Sequence, residues 1–220
     1  MTFPSSAGSV LFSIVGVIAG PMAVMAQTEP VPATLAAKNT VAAPAQMAKP
    51  APEMQAVLDK LAALGAKPLH TLTVESARGQ PTPADAVAAV MVDKGIEAGA
   101  AADIATRDIT LPGPVGEIMA RVYTPEGDGP FPMIVYYHGG GWVIADLDTY
   151  DASARALSLG AGAVVVSSHY RQGPEHVFPA AHEDAYAAWV WTVEHSGDMN
   201  GDAERMAVAG ESAGAIWQRT

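Results

Sequence analysis

Hydrophobic and polar positions follow two different rhythms along this chain, and the change comes near residue 131. Residues 103–111 and 116–123 flank Pro112-Gly113-Pro114. In the second stretch Glu117, Met119, Arg121 and Tyr123 alternate with Ile118, Ala120 and Val122. Period-two alternation predicts an antiparallel pair of strands with one face on a core and one face wet. Farther on, short and nearly unbroken apolar runs take over, at 131–137, 163–168 and 205–210. Such runs predict strands buried on both faces. Helical patterns lie between them. One covers 149–160, with Asp151 in the first turn and Leu157 inward; the other covers 181–194, with Ala185, Ala188 and Trp189. Strands alternating with helices predict an α/β fold, a mostly parallel sheet with right-handed crossovers and helices on both faces.

Upstream, residues 53–64 carry Met54, Val57, Leu58 and Leu61 at helical spacing. A second helix starts at Thr82, the capping residue, with Pro83 in the first turn. Val87, Val90 and Met91 form its stripe, and Gly95 can end it. Residues 1–26 read as a secretory signal peptide, an apolar run closed by Val24-Met25-Ala26, although no Lys or Arg precedes it. The run is interrupted by Gly16, Gly20 and Pro21 and is short of the ~20 residues a spanning helix needs, so no stable membrane span is expected. Residues 27–52 are rich in Ala and Pro, which predicts a disordered tether. The expected organisation is therefore a signal peptide (1–26), a linker (27–52), N-terminal helices (53–100) and an α/β domain (101–220). A periplasmic or secreted location is expected from the same pattern.

Composition removes several classes of function. The 220 residues carry a formal charge of −11, which argues against nucleic-acid binding, where clustered Lys and Arg are required. There is no cysteine, so disulfides, thiolate catalysis and cysteine metal sites are excluded. His169, His176, His182, Glu183, Asp184 and His195 are close in sequence, but their spacing matches no helical metal-binding pair, and no metal is expected.

Two motifs carry chemistry. The apolar run at 205–210 leads into Gly210-Glu211-Ser212-Ala213-Gly214, a G-x-S-x-G pattern. That spacing suits a sharp strand-to-helix turn with an exposed serine at its tip, and small residues two before and two after let the backbones crowd together. The run at 131–137 ends in His138-Gly139-Gly140-Gly141-Trp142. Consecutive glycines free backbone N–H groups to converge on one point, as the negative oxygen of a tetrahedral intermediate requires.

With these motifs, residues 54–214 resemble the hormone-sensitive-lipase-like family of α/β-hydrolase esterases. The marks occur in order: Ile109-Thr110-Leu111-Pro112-Gly113, Val122-Tyr123-Thr124-Pro125, HGGGWVIADLDTYD at 138–151, YRQGPEHVFPAAHEDAYAA at 170–188, and GESAG at 210–214. The resemblance implies Ser212 as nucleophile and an oxyanion hole of the Gly140, Gly141 and Ala213 amides. His138, Gly139, Trp142, Gly210, Glu211 and Gly214 would support the two motifs. It further implies carboxylic esters as substrates, no cofactor, and the two N-terminal helices as part of a cap. Oligomeric state stays open.

The chain also departs from the family. His169 stands where the family has an aspartate, which should loosen the tie between loops, and Gln172-Gly173 replaces Leu-Ala. Tyr170, Arg171, Pro174 and Glu175 are kept and read as scaffold. In this fold the triad acid and base come after the serine, yet no Asp, Glu or His occurs among residues 213–220. His138 has a structural place in its motif, and His195 precedes the serine at the far end of a helix. The expectation is a chain with nucleophile and hole but without triad acid and base, inactive as it stands. Ala215-Ile216-Trp217-Gln218-Arg219 replaces the family's Gly-Asn-Leu-Ala continuation, as a one-base deletion in a suitable codon run would produce. Without further strands, the strand ending at Gly210 is expected to be an apolar edge prone to aggregation.

Overall fold

The computed structural model describes residues 49–97, 99 and 104–219, with side chains as far as Ile216. The signal-peptide reading and nearly all of the linker reading concern residues outside this range.

The five strands are β1 (Ala105–Gly113), β2 (Gly116–Thr124), β3 (Phe131–Tyr137), β4 (Val164–His169) and β5 (Gly201–Gly210). They form one sheet in the order β1-β2-β4-β3-β5. β1 and β2 are antiparallel, as are β2 and β4, whereas β4, β3 and β5 run parallel. Two long helices serve the crossovers, α4 (Asp151–Ala161) between β3 and β4 and α5 (Ala180–Glu194) between β4 and β5. The chain steps from β3 to β4 in one direction and returns past β3 to β5 in the other. Right-handed crossovers taken in opposite directions put α4 and α5 on opposite faces.

Two cores result. Under α5, Val122, Met133, Val135, Tyr137, Val164 and Val166 meet Ala181, Ala185 and Ala188. Under α4, Ile104, Tyr123, Ile134, Tyr136 and Val165 meet Ala154. Alternate residues of β3 and β4 thus enter different cores, which explains their unbroken apolar runs. The alanines of α5 let the helix approach closely enough for the Tyr137 hydroxyl to donate to Ala185 O at 2.6 Å.

The wet face expected of β2 holds only at one end. Met119 is 55% exposed, but Tyr123 is fully buried because α4 covers it. Its hydroxyl donates to Asp151 Oδ1 at 2.9 Å, and the same carboxylate accepts from Arg155 Nε at 2.6 Å and Arg121 Nη1 at 3.2 Å. α4 begins two residues later than its apolar pattern predicts, because Asp146 Oδ1 binds both the Thr149 amide and its hydroxyl at 2.8 Å and holds that residue in a turn.

Upstream are α1 (Pro52–Ala63), a short α2 (Val74–Gly79) and α3 (Pro83–Lys94). Thr82 and Asp85 form a reciprocal capping box, and Gly95 ends α3 in the left-handed region at φ 61°. α1 packs on α3, where Lys60 and Asp93 are paired. The apolar stripes are less buried than their spacing predicts: Met54 and Leu58 of α1 stay exposed, and in α3 Ala86 is buried while Val87 faces out. The buried position of α3 is thus an alanine one residue before the expected valine.

Burial pushes the Asp151 carboxyl up, but hydrogen bonds from Arg155 and Tyr123 outweigh it and hold the group below its ordinary value. A depressed carboxylate adds stability above its unfolded value near 4, and that stability is lost as pH falls through the folded value. Asp151→Asn should cost about 1.5–3 kcal/mol at pH 7, in the range of hydrogen bonds to charged groups. The difference in Tm from the parent protein should shrink below pH ~4.

Candidate active site

β5 ends at Gly210, and Ser212 comes two residues later with φ 52°, a left-handed conformation that a non-glycine residue rarely holds without enforcement. The enforcement is close packing. A Cβ on Gly214 would lie 2.1 Å from Tyr137 O and 2.6 Å from His138 O, so only bare backbone fits there. The Gly214 amide donates to Glu211 O at 2.8 Å and the Glu211 amide to Tyr137 O at 3.3 Å. Glu211 Oε1 accepts from the Tyr136 hydroxyl at 2.7 Å. Ala213 is buried beneath the turn, and Ser212 is exposed. The turn leads into a 3-10 helix, Ser212–Arg219, where the motif predicts an α-helix. The Gly214 amide bonds back three residues to Glu211 O, the spacing of a 3-10 turn.

The glycine loop leaves the neighbouring strand β3. Gly139 lies directly against the serine turn: a Cβ there would sit 3.4 Å from Ser212 Cβ and 3.1 Å from Glu211 O. Two carbonyls fix where the next amides point. Gly139 O takes a hydrogen bond from His138 Nδ1 at 2.7 Å. Gly140 O accepts from the amides of Val143 at 3.1 Å and Ile144 at 3.0 Å. In a trans peptide the N–H points opposite to the C=O. With both carbonyls held by the loop, the Gly140 and Gly141 amides are turned away from those bonds. Gly140 has φ 108°, and a Cβ there would fall 1.9 Å from Ile144 O, so this turn admits glycine alone. Trp142 is left-handed as well, at φ 61°, with its indole 39% exposed.

His138 is fully buried, stacked on Tyr170 with ring centroids 4.6 Å apart. Because Nδ1 donates to a carbonyl, Nε2 is the acceptor, and His169 Nδ1 donates to it at 3.2 Å. Burial lowers His138 to about 4, so the pair is neutral. The replacement of aspartate by His169, expected to loosen the loops, leaves them joined through this ring-to-ring bond. Tyr170 OH donates to His138 O at 2.7 Å. Arg171 binds Asp184 of α5 through its amide at 2.9 Å and through its guanidinium at 2.7 Å. His195 caps α5, with Nδ1 bonded to Trp191 O at 2.9 Å and its ring stacked on Trp191. It lies just before β5, at the end of the sheet away from Ser212.

Three residues hold the site through contacts that the motifs do not specify. The Tyr150 hydroxyl accepts from the Gly139 backbone. Gln172 Nε2 donates to Ile144 O and Ala145 O, both at 2.9 Å. Arg78 of α2 reaches Val143 O, Gly173 O and Glu175, each at 2.8 Å. The one available sequence cue for α2 is Thr73, which caps it by accepting from the Ser76 amide at 3.2 Å. A cavity of about 970 Å³ opens at the carboxyl end of β4, between α2, the start of β2 and the loops at 144–149 and 169–176. Ser212 and Gly140 are not among its walls.

A mostly parallel sheet, a serine on a strained strand-end turn and a glycine loop on the adjacent strand define an α/β-hydrolase architecture. Comparison with known proteins agrees. Residues 134–216 match the family described as alpha/beta hydrolase fold. The carboxylic ester hydrolase LipN of Mycobacterium tuberculosis is 54% identical over 108 residues, 49% of this chain and 29% of that protein. The ethyl acetate hydrolase of Pseudomonas putida is 37% identical over 153 residues, 67% of this chain and 45% of the relative. The solved structure of a hyperthermophilic esterase from Pyrobaculum calidifontis superposes with a TM-score of 0.62 at 38% identity, covering 76% of this chain and 51% of that one. The chain thus spans about half or less of the length of these relatives. It has the alpha/beta-hydrolase fold and is similar to hormone-sensitive-lipase-like esterases of that fold.

A histidine held below its free value lowers stability on the acid side. From pH 6.5 down to about 4 the unfolded chain takes a proton at residue 138 and the folded one does not. Stability should therefore fall across that window, by about 3 kcal/mol from this residue. His138→Gln should flatten the dependence of Tm on pH between 6.5 and 4, measured by thermal melts against the parent chain.

Proposed function

We propose that this protein is a carboxylic ester hydrolase in which Ser212 is the nucleophile and the amides of Gly140, Gly141 and Ala213 bind the oxyanion. The contact of Gly139 with the serine turn, 3.4 Å from a would-be Cβ to Ser212 Cβ, is the observation that carries this reading. It sets an exposed, strained hydroxyl beside amides whose carbonyls are held elsewhere. In the reaction Ser212 Oγ gives its proton to a base and attacks the ester carbonyl, and the carbonyl oxygen becomes an alkoxide facing the amides. Collapse breaks the ester C–O bond, the leaving oxygen takes that proton and departs as the alcohol, and water then cleaves the acyl-serine to the free acid. Preorganised donors of this kind are each worth about 10²–10³ in rate. The relatives are named as hydrolases of carboxylic esters, one of them of ethyl acetate, which supports small esters as the substrate class. No cofactor enters such a scheme. On the pattern of residues 1–26 we place the protein in the periplasm or outside the cell.

We further propose that the 220-residue chain does not turn over esters. Three of its histidines are committed elsewhere: His138 and His169 bond to each other inside the loop, and His195 caps α5. A base is what makes a serine hydroxyl nucleophilic, and without one a site keeps only the residual acceleration of its oxyanion hole.

A serine-directed fluorophosphonate separates these statements from a non-catalytic binding role. Labelling should be slow, should map to Ser212 and should vanish in Ser212→Ala. Gly140→Ala should slow it by about 10²–10³. Hydrolysis of p-nitrophenyl acetate should not exceed that of Ser212→Ala. Labelling that persists in Ser212→Ala, or maps to another residue, would overturn the nucleophile. Serine-dependent turnover would overturn the inactivity.

A further inference from the structure

The carbonyls of four consecutive residues after the glycine run are each taken by a donor from outside the loop. Trp142 O accepts from the Gly173 amide at 2.7 Å. Val143 O accepts from Arg78 Nε at 2.8 Å. Ile144 O and Ala145 O share Gln172 Nε2, at 2.9 Å each. Arg78 also touches the residue that makes the first of these contacts, because its Nη2 donates to Gly173 O at 2.8 Å. Glu175 completes the arrangement with two hydrogen bonds of 2.8 Å to the same guanidinium, which holds its carboxyl at about 2.

Peptide geometry carries this contact toward the serine. Val143 O lies in the same peptide plane as the Ile144 N–H, and Trp142 O in the same plane as the Val143 N–H. Those two amides are the ones that grip Gly140 O. Gly140 O in turn shares its plane with the Gly141 N–H. Arg78 fixes the first plane directly, and it also holds by its carbonyl the residue, Gly173, whose amide meets the second.

We propose that Arg78 is the positioning residue of the oxyanion loop: from α2 it orients the Gly141 amide through the peptide planes of residues 142–144. This rests on the ester-hydrolase reading for its functional meaning, though the loop's order can be measured without it. A rigid fork is required, since Nε and both terminal nitrogens are engaged at separate acceptors, and an ammonium offers only a point charge.

The test is amide hydrogen exchange on the full chain with Arg78→Ala, read at Val143, Ile144 and Gly173, together with the rate of fluorophosphonate labelling at Ser212. Exchange at these amides should rise at least roughly tenfold, while amides of β3 and β4 stay unchanged. Labelling should slow by about 10²-fold, as expected when a reacting geometry is lost without contact to the reacting atoms. Added guanidinium should reverse both effects in Arg78→Ala, and Arg78→Lys should not. Unchanged exchange at Val143 and Ile144 overturns the proposal. So does faster exchange throughout the sheet, which would make Arg78 a general prop of the fold. Faster local exchange with labelling unaltered overturns the positioning role. If the parent chain takes no label while the exchange behaves as described, the ester-hydrolase reading falls and the orientation of the loop by Arg78 stands.

Discussion

The ends of β3 and β5 are hydrogen-bonded neighbours, and only bare backbone fits between the segments beyond them. Tyr137 pairs with Gly210 in the ladder, and Gly214 then passes beneath the carbonyls of Tyr137 and His138 with no room for a methyl group. This close approach forces the left-handed serine, brings Gly139 against it, and makes the two motifs one site. The parallel register supplies it: adjacent strands that run the same way deliver their carboxyl-end loops to the same place.

Much of this is readable in the sequence because it is periodic or local. The alternation in β2 and the unbroken runs of β3 and β4 report how many faces each strand buries, and the structure assigns those faces to two cores. Thr82 with Asp85 and Gly95 bound a helix through chemistry contained within it. Pattern and structure part where a distant element decides the outcome. Tyr123 reads as a surface position of an alternating strand until α4 is laid over it. Val87 reads as core, but Ala86 beside it is the buried residue of α3. The segment after Ser212 is a 3-10 helix where the motif alone predicts an α-helix.

The glycines and the serine are legible as a motif, and Tyr170, Arg171 and Glu175 as scaffold, but the contacts of Arg78 and Gln172 are not. Arg78 and Gln172 act through hydrogen bonds to backbone carbonyls 65 and 28 residues away. A donor aimed at a carbonyl leaves no trace in the sequence of the acceptor, since every residue has that oxygen. His169 shows the opposite case. The departure from the family pattern is visible, but its result is not, because a neutral imidazole can donate to another imidazole where an aspartate would have accepted. The loops keep their tie with the hydrogen-bond direction reversed.

Among the described residues β3 is hydrogen-bonded on both sides, to β4 and to β5. The glycine loop therefore hangs from a strand that two ladders hold in place, and its amides are aimed before any ligand arrives. A receptor suspended this way has little ordering left to do when charge develops in front of it, so the cost of its aim falls on folding rather than on each encounter.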